Sequence, residues 1–67
     1  MLFLFESTYT VIKAEKIFRD NNIKCRIIPV PRSISPDCGM AIEIYEEFKI
    51  QAEIVLNENN VKYSKHY

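Results

Sequence analysis

Ala14-Glu15-Lys16-Ile17-Phe18-Arg19-Asp20-Asn21-Asn22-Ile23-Lys24 recurs 38 positions further on as Ala52-Glu53-Ile54-Val55-Leu56-Asn57-Glu58-Asn59-Asn60-Val61-Lys62. Of the 11 pairs, five are identical (Ala, Glu, Asn, Asn and Lys) and four more are conservative. Likeness at a fixed offset is the signature of an internal repeat, so the two halves are expected to share a structure. Working outward, Val11, Ala14, Ile17, Phe18 and Asn21 fall on one side of a 3.6-residue period, with Lys13, Lys16, Arg19 and Asp20 on the other. That is an amphipathic helix. Ser7 or Thr8 can cap its start, because a hydroxyl accepts from the unpaired N–H groups of a first turn. Asn21-Asn22 can end it, since Asn tolerates the left-handed conformation found at helix ends.

Apolar residues flank this helix. Leu2 to Glu6 forms a short run before it, and Ile23 to Val30, rich in β-branched residues, follows it. The second half repeats the plan with a strand from Met40 to about Tyr45, a helix from about Glu46 to Asn59 and a strand from Val61 towards His66. Between the halves, Pro29, Pro31 and Pro36 exclude both a helix and a central strand. The expected organisation is a single domain over residues 1–67, with halves of about 1–30 and 39–67 joined by the Pro-rich loop 29–38.

Two β-α-β units in so short a chain most economically make an α+β ferredoxin-like split β-α-β sandwich, βαββαβ. It would have a four-stranded antiparallel sheet of order 4-1-3-2 and both helices on one face. The side facing the helices is expected to hold Leu2, Leu4, Ile23, Cys25, Ile27, Met40, Ile42, Ile44 and Val61. These would pack on Ala14, Ile17, Phe18, Ala52, Val55 and Leu56. The helix-free face would carry Phe3, Phe5, Arg26, Ile28, Ala41, Glu43 and Tyr45. Two phenylalanines there suggest self-association, a homodimer through the sheet face with Phe3 and Phe5.

Composition narrows the function classes. The 67 residues carry nine basic and nine acidic side chains, scattered along the chain. With no basic stripe to neutralise phosphates, nucleic acid is not an expected partner. The apolar run Met1 to Phe5 stops at Glu6, far short of a membrane span, so no membrane association is expected either. Small secreted domains lean on several disulfides, whereas this chain has two cysteines 13 positions apart, pointing to a reducing, cytoplasmic compartment. Cys25 is expected about five residues before the end of its strand, roughly 16 Å from the loop at ~3.3 Å per residue. That is too far for a disulfide with Cys38. The cysteines lack C-x-x-C spacing, His66 is the only histidine and lies beside the C-terminus, and no Gly-rich phosphate loop is present. No metal or cofactor is therefore expected, and the chain has little room for a conventional enzyme site.

Cys38 is the one residue placed for chemistry. It follows the Pro/Ser loop and precedes Gly39, the only glycine, at the start of a strand. In the split arrangement this loop lies at the end of the sheet where the first helix begins. Cys38 should then sit near the N–H groups around Ser7, Thr8 and Tyr9, with Arg32 in the same loop. Helix N-termini and cations favour a thiolate. The residues alone equally allow a cysteine that plugs the end of the sheet, while Cys25, mid-strand and inward, reads as a small core hydrophobe.

The stretch Pro29-Val30-Pro31-Arg32-Ser33-Ile34-Ser35-Pro36-Asp37-Cys38-Gly39 has the pattern P-x-P-R-x-I-S-x-x-C-G and resembles the loop of the sulfur/selenium carrier-like family. The likeness extends to Ser7-Thr8, Ala14-Glu15-Lys16 and the Asn-Asn-Ile turn, covering most of the chain. It departs at Glu43, where a basic residue would be expected. The resemblance implies a carrier rather than a turnover enzyme, with Cys38 holding the chalcogen as a persulfide-type adduct and sulfur or selenium donor and acceptor proteins as partners. Arg32, Gly39, Ser7 and Thr8 would support it. The alternative is a non-catalytic interaction or assembly module with a structural cysteine.

Overall fold

The structure, a computed structural model, describes residues 1–66. Its elements are β1 (Leu2–Leu4), α1 (Thr8–Asp20), β2 (Cys25–Pro29), β3 (Met40–Ile44), a 3-10 turn (Glu46–Phe48), α2 (Lys49–Glu58) and β4 (Ser64–His66). The four strands form one sheet in the order β2-β3-β1-β4, and every neighbouring pair is antiparallel. Read from the β4 edge, that order is 4-1-3-2. Both helices contribute to one core, in which Val11, Ala14 and Phe18 of α1 and Ala52, Val55 and Leu56 of α2 meet Phe3, Ile42 and Ile44 of the sheet.

The helices end in the same way 38 positions apart. Asn22 and Asn60 have positive φ, 58° and 57°. The next N–H reaches back five residues in each case, Ile23 to the Phe18 carbonyl and Val61 to the Leu56 carbonyl, both at 2.9 Å. All four of these apolar side chains are buried, which completes the helix-ending motif that combines a left-handed residue with a hydrophobic contact. Asn21 and Asn59 add a further bond, each donating its side-chain N–H to the carbonyl four residues earlier, Ile17 and Val55, at 2.8 Å. The starts differ. Ser7 caps α1 by accepting from the Thr10 N–H at 3.2 Å. Among the described residues no side chain caps α2, which instead continues from the 3-10 turn bearing Glu46 and Glu47, acids that suit the positive end of the helix dipole.

The facing of β1 departs from expectation, and Ile27, expected against the helices, is 39% exposed on the edge strand β2. Phe3 and Phe5, assigned to the helix-free face, are buried beneath the helices, whereas Leu2 and Leu4, assigned inward, lie on the open side and are half-buried. Phe3 pairs in register with Ile42. Its ring lies 5.9 Å from that of Phe18 and meets Tyr63 edge-on, with centroids 5.3 Å apart. The physical reason is that Met1 to Phe5 contains no polar residue, so alternation cannot choose a face. Packing chooses, and phenylalanine has the larger surface to bury. A homodimer through a sheet face bearing Phe3 and Phe5 is therefore excluded, because that face is the one the helices cover. The open face carries Leu2, Leu4, Ile28, Ala41 and the Arg26–Glu43 ion pair, whose shortest N–O distance is 2.6 Å.

Candidate functional site

The loop between β2 and β3 is a set of turns closed at its base by the Val30 N–H on the Gly39 carbonyl, 3.0 Å. Inside it, the N–H groups of Ile34 and Ser35 both donate to the Pro31 carbonyl, and the Gly39 N–H donates to that of Ser35. Proline supplies the fixed φ such turns use and forgoes a donor they do not need. Gly39 has φ +67°, while a Cβ placed there would meet nothing nearer than the Val30 carbonyl oxygen at 3.9 Å. The backbone conformation, not space, requires glycine.

These turns set Cys38 across the end of the sheet's two central strands. The last β1–β3 pair is Leu4 with Ala41, and one step beyond it the chain reaches Phe5 and Met40. The Cys38 sulfur bridges that step: it lies 3.4 Å from the Phe5 carbonyl oxygen and 3.2 Å from that of Met40, and its single S–H has either as acceptor. A third neighbour is the Ser35 hydroxyl at 3.4 Å. Cys38 is half-buried, with one side against the core.

The other expected residues are brought near to different degrees. Phe5, whose carbonyl meets the sulfur, stands two residues before Ser7, so the start of α1 and Cys38 do share one end of the sheet. Ser7 spends its oxygen on the Thr10 N–H and hydroxyl, and Thr8, the first residue of α1, is exposed. Arg32 is exposed and donates to the Pro36 carbonyl at 3.4 Å rather than to the sulfur. Gly39 adjoins Cys38 and shapes the loop.

Cys25 lies at the opposite end, where β2 begins, paired with Ile44. Both cysteines are free. Burial pushes the Cys25 thiol up from its ordinary value, Glu15 pushes the same way, and Arg19 opposes. Glu43 is committed to Arg26, and His66 pairs with Leu2 in the β4 edge strand, away from the loop. Among the described residues no group of three or more His, Cys, Asp or Glu is gathered for a metal, and no helix is long and apolar enough to cross a membrane.

Two features were not singled out by sequence reasoning. Ser35 is only 1% exposed and was read merely as part of the loop pattern. Its one signal is a serine three residues before a cysteine in a proline-bounded stretch, and it is the closed turn that brings it beside the sulfur. The second feature is a groove of about 940 Å³ flanking the loop, lined by Ile34, Ser35 and Pro36 together with Glu53, Tyr63 and Lys65. There the Glu53 carboxylate accepts from the Lys65 ammonium at 3.0 Å and the Tyr63 hydroxyl at 3.1 Å. The Lys65 bond holds the Glu53 carboxyl below its usual range, and burial, followed by Glu53, pushes the Tyr63 phenol up.

Searches of curated proteins and of solved structures gave no match. The family model described as "Putative Se/S carrier protein-like" matches residues 1–67, all of the sequence, including the cysteine loop. The chain belongs to this Se/S carrier protein-like family.

Proposed function

We propose that the chain carries sulfur or selenium on Cys38 as a persulfide-type adduct, taking it from a donor protein and yielding it to an acceptor protein. The observation that carries this reading is the placement of Cys38: half-exposed, at the end of the sheet beside the start of α1, in a loop that the family match covers. Loading would proceed by exchange. The Cys38 thiolate attacks the outer sulfur of a donor persulfide, the new S–S bond forms as the donor's S–S bond breaks, and the donor keeps the electron pair as a thiolate that takes the proton. No net oxidation is involved. Delivery is the same step in reverse towards the acceptor. The element order and the strand sequence support assigning the scaffold to the ferredoxin-like split β-α-β class, and the free cysteines suit a reducing, cytoplasmic setting.

A second reading has its own observation. The bonds from Cys38 to the Phe5 and Met40 carbonyls also tie the loop to the sheet, as a structural cysteine in a non-catalytic interaction module would. Intact mass after incubation with a persulfide donor separates the two. A carrier gains one sulfur in the wild type and none in Cys38→Ser, whereas an accessible Cys38 that never gains sulfur leaves the structural reading standing.

A further inference from the structure

Ser35 is the only fully buried polar residue among those described, and its side chain is aimed at the sulfur. Its backbone is held on both sides, by its own N–H on Pro31 and by the Gly39 N–H on its carbonyl, so the oxygen stays where it is while the hydroxyl proton is free to turn. That proton has two acceptors within reach, the Met40 carbonyl at 3.3 Å and the Cys38 sulfur at 3.4 Å. With the thiol protonated, the S–H serves a carbonyl and Ser35 has no need to donate to sulfur. With the sulfur anionic, the Phe5 and Met40 carbonyls offer it only lone pairs. Among the described residues bonded to the sulfur, the Ser35 hydroxyl alone can donate to a negative charge there. A bond to an ionised group is stronger than one between neutral groups, so the proton is drawn to the sulfur as charge appears.

We propose that Ser35 is a positioning residue that turns its hydroxyl from the Met40 carbonyl to the Cys38 sulfur whenever that sulfur becomes anionic. The inference rests on the carrier reading and deepens it. In loading, the bond steadies the attacking thiolate. In delivery, an acceptor thiolate attacks the terminal chalcogen, the bond to Cys38 breaks, and the electron pair returns to the Cys38 sulfur, which Ser35 meets with a hydrogen bond while keeping its own proton.

The test is the pH profile of Cys38 alkylation by iodoacetamide, resolved by peptide mass spectrometry in the full chain, for wild type, Ser35→Ala and Ser35→Thr. Ser35→Ala should alkylate about tenfold more slowly near neutral pH, the size expected for losing one hydrogen bond to an ion, and should reach the wild-type rate in strong alkali. Ser35→Thr, which keeps the hydroxyl, should restore the neutral rate. A serine that merely ties the loop shut gives the opposite sign, since its loss would loosen the loop and speed alkylation at every pH. That result, or an unchanged rate, overturns the proposal. Cys25 in the same samples reports folding. If Ser35→Ala exposes it, Ser35→Gly, which also lacks the hydroxyl, takes its place, and if Ser35→Thr exposes it, the neutral-pH loss in the hydroxyl-free variant against wild type decides alone. The carrier reading fails separately: a wild type that gains no sulfur from a persulfide donor sinks the carrier and leaves the alkylation difference intact.

Discussion

The two ends of the sheet each hold one cysteine, and the surroundings differ in kind. Cys25 stands inside the repeated part of the chain, at the position Tyr63 occupies in the second half, and opens a strand beneath α1. Burial and Glu15 work against its ionisation. Cys38, half-buried, stands outside the repeat, in the joining loop, where two carbonyls and a hydroxyl converge on the sulfur. Repeated positions here are spent on making the fold. The segment that escapes the repeat is free to carry chemistry, and its turns bring polar groups to a thiol that a strand could not.

Both ends hang on β1, so the most damaging way to break the comparison is to remove its core ring. Phe3→Ala should destabilise the fold by about 3–5 kcal/mol, while Leu2→Ala, on the open face and half-exposed, should cost about 1 kcal/mol or less. Urea unfolding measures both, and a larger loss at Leu2 would turn β1 over. The contrast between the thiols themselves is sharpened by alkylation. Cys38 should react about tenfold or more faster than Cys25 near neutral pH, because thiolate and access govern the rate. Since the Cys25 thiol is pushed up, the gap should close as pH rises. Equal rates at neutral pH would erase the difference between the ends.

Smaller effects probe what holds each end in shape. Gly39→Ala should cost about 1–2 kcal/mol, the price of a left-handed conformation for a residue with a Cβ, and thermal unfolding reads it directly. No loss would mean that the loop relaxes into another turn. The weakest is Glu53→Gln. Its carboxyl is held low in the folded state, so its contribution is present above the unfolded-state value and fades as pH falls through the folded one. The variant should be less stable than wild type by no more than about 1 kcal/mol at neutral pH and equal to it in acid. A difference that persists unchanged in acid would mean that the Lys65 and Tyr63 bonds are not what it reports.

Much of this was legible because the repeat writes the same instructions twice. Asn21-Asn22 and Asn59-Asn60 ended both helices as Asn pairs should, and the loop's place beside the start of α1 followed from topology. The facing of β1 was not legible, since five apolar residues in a row carry no alternation and Phe18 and Tyr63, distant in sequence, decide the matter. In the site, Cys38 was marked by its proline-rich approach and by Gly39. Arg32 is expected to help the sulfur from its charge and nearness in sequence, yet its guanidinium donates to the carbonyl of Pro36, four residues on, within the same loop. Ser35 carried no charge to attract notice, and only the closed turn from Pro31 to Gly39 reveals what its hydroxyl faces.

The most direct test is to expose the wild-type chain to a persulfide donor under native conditions and map the added sulfur by peptide. The expected result is one added sulfur confined to the peptide containing Cys38, with the Cys25 peptide unchanged. Sulfur on Cys25 alone, or shared equally between the two, would contradict the assignment of the carrier to the loop.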